Sequence, residues 1–237
     1  MASAQKKTFH SVKEVYNQPE VISYFKDFSQ EETIEEERLL AEKYFHAHPS
    51  ILLIGGGGKK DVLFWGNLAG SLTVADLSEE MLRVSVASLA KKTFCVAANL
   101  THLPFNQSKF DGIVVCDSVY GHIAGKKNRQ KILKELVALL TEKGVLFLHA
   151  GGWLSTKLLP WWRRRLGKWR VLKQWFCGNF SAREPGDAAC RTMLSGFPPG
   201  KPIFYHFFQT PDEIDQELRE TGLNMVDHSG SIWVLQA

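Results

Sequence analysis

The sequence lacks long apolar runs. No stretch reaches the roughly 18 consecutive apolar residues that a membrane-spanning helix needs, and the first residues, MASAQKKTFHSVKE, contain no apolar segment typical of a secretory signal. Internal repeats and low-complexity segments are missing as well. These absences argue against a helical membrane protein and a repeat array, and we expect a cytoplasmic globular protein.

Cysteine is also scarce. The four cysteines are Cys95, Cys116, Cys177 and Cys190, and none of their spacings forms a C-x-x-C pair or another metal-ligand pattern. We therefore expect reduced thiols, no disulfide framework and no metal site.

A strong excess of one charge is missing too. The chain has 29 basic and 25 acidic residues, and the net charge of +4 does not by itself identify a nucleic-acid partner. By contrast, 44% of the 237 residues are hydrophobic. This length and composition are typical of one enzyme-sized domain with a full core.

Glycine is concentrated in the stretch ILLIGGGGKKD, residues 51–61. An apolar run, a glycine turn and a helix-capable segment predict the first strand and helix of an α/β unit, with a ligand at the turn. A phosphate-binding P-loop needs a glycine in place of Leu53, and the dinucleotide fingerprint needs a small residue in place of Lys60. The remaining interpretation is a loop in which Gly55 and Gly57 bring the backbone against an adenosine that carries an amino acid.

Strand-like and helical segments alternate after this loop. The alternation predicts an α/β protein with a doubly wound, mostly parallel sheet of seven strands, which binds ligands at the carboxyl ends of its strands. One helix is expected to run through RQKILKELVALLTEKG and to end on Gly144. The last residues predict a helix and an antiparallel hairpin that turns at Ser229 and Gly230. The expected parallel strands are Ile51–Ile54, Leu72–Ala75, Thr93–Val96, Gly112–Cys116 and Val145–His149.

Three regions follow from this pattern. Residues 1–48 are predicted to form an N-terminal helical cap, in which one helix begins at Pro19. Residues 49–237 form the α/β domain. Residues 150 to 210 or so interrupt the alternation, and we interpret them as an insert after the fifth strand, on the ligand side of the sheet.

An acidic residue ends the second strand. Asp76 lies 21 residues after Gly55, which matches the carboxylate that accepts ribose hydroxyls in nucleotide-binding α/β domains. The alternative is that Asp76, Leu77 and Ser78 only cap the next helix. Both roles are compatible.

Four segments of the chain together resemble the class I S-adenosylmethionine-dependent methyltransferases. Each is weak singly, but their order and separations match the family over about residues 50–150, and the closing helix and hairpin match as well. The segments are ILLIGGGGKKD, LTVADLSEEML, VAANLTHLPFNQSKFD and FDGIVVCDSVYGHI.

The resemblance implies a Rossmann-like methyltransferase fold with S-adenosyl-L-methionine as cofactor, and it implies roles for the matching positions. The glycine loop would approach the cofactor with its backbone, Asp76 would hold the ribose, and Leu77 would pack on adenine. Asn99 and the backbone amide of Leu100 would read the adenine edge. The remaining cofactor-binding positions are Gly55, Gly56 and Gly57 in the loop, Met81 after the ribose block, and Cys116, Asp117 and Ser118 near the sulfonium and the methionine part.

Three positions depart from the family pattern. Leu53 stands where an acidic residue usually steers the cofactor's amino group, and Lys59 replaces the third glycine. We expect Lys59 to reach the methionine carboxylate. Asn99 stands where an aspartate is common, and its amide oxygen can still accept from adenine. These departures leave open a non-catalytic relative that keeps the fold.

Methyl transfer from a sulfonium needs few catalytic side chains, because alignment and exclusion of water are the protein's main tasks. The segment after the fourth strand offers Tyr120 and His122 as catalytic candidates. His122 has the chemistry to take a proton from a hydroxyl or amine, although a lone histidine is often only a packing residue. His149, at the end of the fifth strand, is a second candidate base.

The insert contains KLLPWWRRRLGKWRVLKQWF, Lys157–Phe176, in which tryptophans and basic residues alternate. We interpret it as a lid over the substrate; binding to an anionic membrane surface or to RNA is possible but less favoured. The sequence therefore predicts a methyltransferase acting on a small, fairly apolar molecule through an oxygen, nitrogen or carbon acceptor. A membrane lipid or quinone, or RNA, remains the alternative substrate, and the oligomeric state is left open.

Overall fold

The computed structural model describes residues 11–27, 35–46, 48–87, 93–106, 109–150, 184, 186–190, 203–208 and 210–236. The segment Lys157–Phe176 therefore lies outside the described residues, and its predicted role as a lid stays a prediction. Within the described ranges, no helix is both long and apolar enough to cross a bilayer.

A seven-stranded sheet forms the centre of the molecule, with strand order β3-β2-β1-β4-β5-β9-β8. Strands β1 to β5 pair in parallel with their neighbours, whereas β9 runs antiparallel to both β5 and β8. This order confirms the predicted doubly wound sheet with a C-terminal hairpin. The strands are β1 Ser50–Ile54, β2 Ser71–Asp76, β3 Thr93–Ala97, β4 Phe110–Val115, β5 Leu140–His149, β6 Asp187–Cys190, β7 Ile203–His206, β8 Asn224–Ser229 and β9 Ile232–Gln236.

Helices cover both faces of this sheet, which explains why β1 is apolar along almost its whole length. Side chains of a strand alternate between the two faces, so Leu52 and Ile54 join one core with α6 and α7, while Ile51 and Leu53 join a second core with α3 and α4. The helices are α1 Val12–Tyr16, α2 Pro19–Asp27, α3 Glu35–Tyr44, α4 Lys59–Leu68, α5 Glu79–Val86, α6 Lys126–Val137 and α7 Pro211–Arg219, with short 3₁₀ turns at Leu100–His102 and Tyr120–His122.

The boundary between α6 and β5 differs from the prediction. The helix ends at Val137 rather than at Gly144, and β5 already begins at Leu140. Leu140 pairs with Phe110 of β4, and a β-bulge follows between Phe110 and Gly112. A Cβ on Gly144 would lie 2.9 Å from the Phe110 carbonyl oxygen, so this glycine permits close strand contact and does not end a helix.

The hairpin turn lies one residue later than expected, because Ser229 still pairs with Ile232 and the turn consists of Gly230 and Ser231.

A second, two-stranded sheet is formed by β6 and β7, which pair antiparallel. The first two helices lie against elements near the sheet's carboxyl edge: α1 contacts β7, and α2, which begins at Pro19 as predicted, contacts α5.

Candidate active site

A cavity of about 810 Å³ lies at the carboxyl ends of the parallel strands. Gly55 after β1, Asp76 at the end of β2 and Cys116 after β4 all border it. The position is the one expected for a ligand of a doubly wound sheet, and the volume lies within the range of small-molecule sites.

Two glycines of the loop after β1 bring the backbone close to its neighbours. Gly55 has φ +74°, and a Cβ there would lie 2.1 Å from Cγ2 of Val119. A Cβ on Gly57 would lie 2.8 Å from Cε of Met81 and 3.0 Å from Oδ2 of Asp76. Any side chain at either position would therefore distort the cavity wall.

Gly56 faces the core of the sheet and not the cavity. A Cβ on Gly56 would meet the Leu53 and Val74 side chains of the sheet core, and Gly56 does not border the cavity. Its role is to let the loop lie flat on the sheet. Of the three glycines predicted to approach a cofactor, Gly55 and Gly57 are the two that border the cavity.

Asp76 is a half-buried carboxylate at the cavity wall. Burial raises its pKa to about 6, although hydrogen bonds from the backbone amides of Ser78, Gly57 and Leu77 oppose the shift. The N-cap of α5 is Ser78, whose hydroxyl accepts from the Met81 amide at 3.1 Å. Helix capping is thus carried out by Ser78, and the Asp76 carboxylate, ionised at neutral pH, borders the cavity beside Leu77 and Met81.

The loop after β3 provides a further wall. Asn99 and Leu100 both border the cavity. The Asn99 side-chain oxygen accepts from the Thr101 amide at 3.0 Å and so caps the 3₁₀ turn. This bond holds Asn99 in place and occupies one acceptor site of the oxygen that the sequence assigns to adenine.

The loop after β4 contains a strained residue. Ser118 has φ +72°, which is uncommon for a residue other than glycine, and its amide donates to Oδ1 of Asp117 at 2.8 Å. Cys116, Asp117 and Ser118 all border the cavity. Burial raises the pKa of the Cys116 thiol, so this residue is a neutral wall group and not a nucleophile.

Two predicted site residues lie outside the cavity wall. Lys59 begins α4 but does not border the cavity, whereas its neighbour Lys60 does. Tyr120 does not border it either, since its side chain is only 1% exposed and its hydroxyl donates to Glu217 at 2.6 Å. The Tyr120 ring stacks on Phe208, and this core position argues against a catalytic role.

His122 borders the cavity, and a backbone carbonyl of β7 fixes the orientation of its ring. Nδ1 lies 2.8 Å from the Phe204 carbonyl oxygen, so Nδ1 carries the proton and donates it to that oxygen. Nε2 is then the unprotonated nitrogen; it is buried, and no described residue hydrogen-bonds to it. Burial lowers the pKa of His122, which keeps the imidazole neutral at pH 7.

Sequence reasoning missed two acidic residues of this site. Glu37 of α3 and Asp61 of α4 border the cavity together with His149 at the end of β5. Asp61 stands inside the glycine-rich stretch and was available as a candidate there. Glu37 lies in a run of three glutamates that is typical of a solvent-facing helix, so nothing in the sequence distinguishes it.

Comparison with known proteins decides the family. Residues 52–148 match the family model described as methyltransferase domain. A SAM-dependent methyltransferase from Methanosarcina mazei superposes with a TM-score of 0.58 at 20% identity, covering 83% of this chain and 96% of that one. Residues 52–148 therefore belong to the methyltransferase domain family, and the chain has the fold of S-adenosylmethionine-dependent methyltransferases.

Other solved structures share the fold of this chain. The sugar N-methyltransferase KedS8 from Streptoalloteichus has a TM-score of 0.58 at 14% identity and covers 100% of this chain and 98% of its own. CalS10, an amino pentose methyltransferase from Micromonospora echinaspora with bound S-adenosylmethionine, has a TM-score of 0.55 at 15% identity and covers 93% and 97%. No curated protein sequence matches the chain significantly.

The residues at the strand ends fit S-adenosylmethionine, the molecule bound in the CalS10 structure. The absence of a side chain at Gly57 leaves space beside the Asp76 carboxylate, and a carboxylate at this place suits a ribose diol. Lys60 provides a positive charge at the same cavity. When bound, the cofactor supplies an electrophilic methyl group and a neutral sulfur leaving group.

Proposed function

We propose that this methyltransferase methylates a hydroxyl or amine of a small, fairly apolar molecule, and that Nε2 of His122 takes the proton which the acceptor loses. The observation that carries the proposal is the orientation of His122. Its Nδ1 proton is held by the Phe204 carbonyl, and its unprotonated, buried Nε2 has no hydrogen-bond partner among the described residues. A neutral imidazole with a free lone pair is the group that general-base catalysis needs.

The reaction is an in-line displacement. With the cofactor bound, the acceptor oxygen or nitrogen would take the methyl group, the sulfonium would leave as a neutral thioether, and Nε2 of His122 would take the acceptor proton. Burial opposes a charged imidazole and lowers the pKa of His122, so the proton returns readily to water after product release.

Apolar side chains line one part of the cavity and favour an apolar acceptor. Val12, Tyr16 and Phe25 from the N-terminal helices border it, as does Ile203 of β7. Tyr16 and Tyr205 each make an edge contact with the His122 ring, with ring centroids 6.1 and 5.1 Å apart. These contacts place apolar surface around the candidate base and limit the access of water.

The cofactor positions remain part of this proposal. Asp76 would hold the ribose, Asn99 and Leu100 the adenine edge, and Lys60 rather than Lys59 the methionine carboxylate. Residues 1–48 would act as a cap over the domain formed by residues 49–237. The sugars acted on by KedS8 and CalS10 are not carried over, because identities of 14% and 15% show only a shared fold.

Calorimetric titration with S-adenosylmethionine tests the cofactor half of the proposal. Asp76→Ala should weaken binding by about 1–3 kcal/mol, because two ribose hydroxyls lose their acceptor. Glu79→Ala, an exposed neighbour in α5, serves as the control and should bind like the wild type. Equal affinity of wild type and Asp76→Ala would refute the ribose assignment, and absence of binding to the wild type would favour a non-catalytic relative.

Turnover of a panel of small alcohols and amines tests the base. With any acceptor that yields S-adenosylhomocysteine, His122→Gln should lower kcat by about 10²–10⁴-fold while cofactor affinity stays unchanged. The rise of the wild-type rate with pH through the histidine range should disappear in the variant. A variant that keeps both rate and pH profile would remove His122 from the mechanism.

A further inference from the structure

The family's usual acidic residue before the glycine loop is missing in this chain. Leu53 stands there, fully buried in the core formed by β1, α3 and α4. Its side chain lies beneath Gly56, as the short distance from the Gly56 Cβ position shows. Leu53 therefore offers no hydrogen bond to the cofactor's amino group.

Two other carboxylates border the same cavity from different elements. Glu37 of α3 is 3% exposed, and one of its oxygens accepts from Nε1 of Trp65 at 3.0 Å. Asp61 lies in the first turn of α4. His149 joins them from the end of β5. Its Nε2 lies 3.2 Å from the same oxygen of Glu37, a contact that is an ion pair when the imidazole is protonated. The contact is outside hydrogen-bond geometry, and no described residue hydrogen-bonds to Nε2. We name Glu37, Asp61 and His149 the acidic cluster.

The acidic cluster carries more negative than positive charge. Within the described ranges, neither Glu37 nor Asp61 forms an ion pair with a lysine or arginine, and one imidazole faces both carboxylates. Asp117 adds another negative charge from the loop after β4, while Lys60 provides a positive one. Carboxylates that are removed from water without a matching cation destabilise the folded state, so a cationic ligand group at this place would relieve the imbalance.

The cluster adjoins the part of the cavity where the methionine moiety is expected. Oδ2 of Asp61 lies 3.4 Å from the Cβ position of Gly58 in the loop after β1, and the acidic cluster borders the same cavity as Cys116 and Asp117. Asp61 and Glu37 also act electrostatically on Cys116. Cys116 and Asp117 are the residues that the family pattern assigns to the sulfonium and the methionine. We propose that Glu37 and Asp61 bind the α-ammonium group of the cofactor in place of the acidic residue lost at Leu53, and that His149 positions Glu37. This inference rests on the proposed cofactor site.

Calorimetry with two ligands separates ammonium binding from adenosine binding. S-Adenosylhomocysteine carries the ammonium group, whereas 5′-methylthioadenosine lacks the whole amino acid part. Glu37→Gln and Asp61→Asn should each weaken S-adenosylhomocysteine about 10- to 100-fold, as expected for loss of a hydrogen bond to a charged group. Each should leave 5′-methylthioadenosine within about twofold of wild type.

The matched control is Glu36→Gln, which removes the neighbouring but exposed carboxylate of α3 and should change neither affinity. Glu37→Asp keeps the charge and should bind S-adenosylhomocysteine more tightly than Glu37→Gln does. Where Glu37→Gln does not fold, as judged by circular dichroism, Asp61→Asn carries the test alone.

The outcomes are distinct. Selective loss of S-adenosylhomocysteine affinity supports the inference. Equal loss for both ligands, or no loss for either, overturns it and leaves the cofactor site intact. A wild type that binds neither ligand overturns the proposed function, and this inference falls with it.

Discussion

Asp61 illustrates how a binding residue reduces the stability of its own protein. Burial, and next the charge of Glu37, raise the pKa of the Asp61 carboxyl from 3.8 to about 6, while His149 and Lys60 oppose the shift and Asp117 adds to it. Between these two pKa values the folded protein binds a proton that the unfolded chain has released. Folding stability therefore falls as pH rises from about 4 to about 6 and stays low above that.

We predict that Asp61→Asn stabilises the ligand-free protein at pH 7.5. A shift of about two pKa units corresponds to about 3 kcal/mol once the carboxylate is ionised, and the amide removes this penalty. At pH 4 the variant and the wild type should have similar stabilities, because Asp61 is then protonated in the folded state. Urea unfolding at both pH values measures the difference, and a variant less stable at pH 7.5 would contradict the assigned pKa.

At the scale of single residues, some of the cavity-lining residues could be predicted from the sequence and others could not. Gly55, Gly57 and Asp76 were predictable, because positive φ, close backbone approach and a strand-end carboxylate each leave a sequence pattern. Glu37 was not, since it enters the cavity only when Trp65 of α4 packs beneath α3 and donates to its carboxylate. Whether Lys59 or Lys60 borders the cavity depends on the angle at which α4 begins, and no sequence pattern fixes that angle.

At the scale of elements, α6 and α7 are joined by a buried ion network. Arg129 of α6 is 1% exposed and donates through Nε and Nη2 to both oxygens of Glu217 of α7. Its Nη2 also reaches Glu184 at 2.8 Å, and Tyr120 donates to the same Glu217. These bonds fix the turn that carries His122 relative to the helices on that face.

We predict that Arg129→Met lowers the free energy of unfolding by about 3–5 kcal/mol, because Glu217 remains buried without a cationic partner. The double variant Arg129→Met, Glu217→Leu should recover part of this loss. Lys126→Met is the matched control: its ion pair with Glu220 links the same elements but is exposed, so its removal should change stability by at most about 1 kcal/mol. A loss of similar size in both single variants would contradict the special role of the buried pair.

The boundary between α6 and β5 shows where element prediction fails. The residues Leu139 and Leu140 continue the apolar spacing of α6, and the helix pattern therefore extends past them in the sequence. In the structure both are buried, and Leu140 pairs with Phe110 of β4. Pairing with a strand 30 residues away decides the boundary, and this long-range contact is invisible to a local pattern. The five parallel strands were predictable, because each contains an apolar run bounded by turns, whereas β6 and β7 were not predicted.

At the scale of the whole molecule, helices α1 and α2 form part of the wall of the cavity that lies at the carboxyl ends of the strands. Val12 and Tyr16 of α1 and Phe25 of α2 border it, although they precede the segment that matches the family model. Ser78, the N-cap of α5 beside Asp76, hydrogen-bonds to Asn17 between these two helices. The turn that would hold the ribose is thus connected directly to the covering helices, and their order should depend on the cofactor.

We predict that cofactor binding slows amide hydrogen exchange in α1 and α2. A ligand that fills the cavity gives Tyr16 and Phe25 an apolar surface to pack on and holds the Ser78 turn in place, so local opening of residues 12–27 becomes less favourable. Hydrogen exchange with mass spectrometry, with and without saturating S-adenosylhomocysteine, should show protection there. Peptides from β8, at the far edge of the sheet, should exchange equally in both states. Unchanged exchange in residues 12–27, despite calorimetric proof of binding, would mean that these helices line the cavity without covering the cofactor.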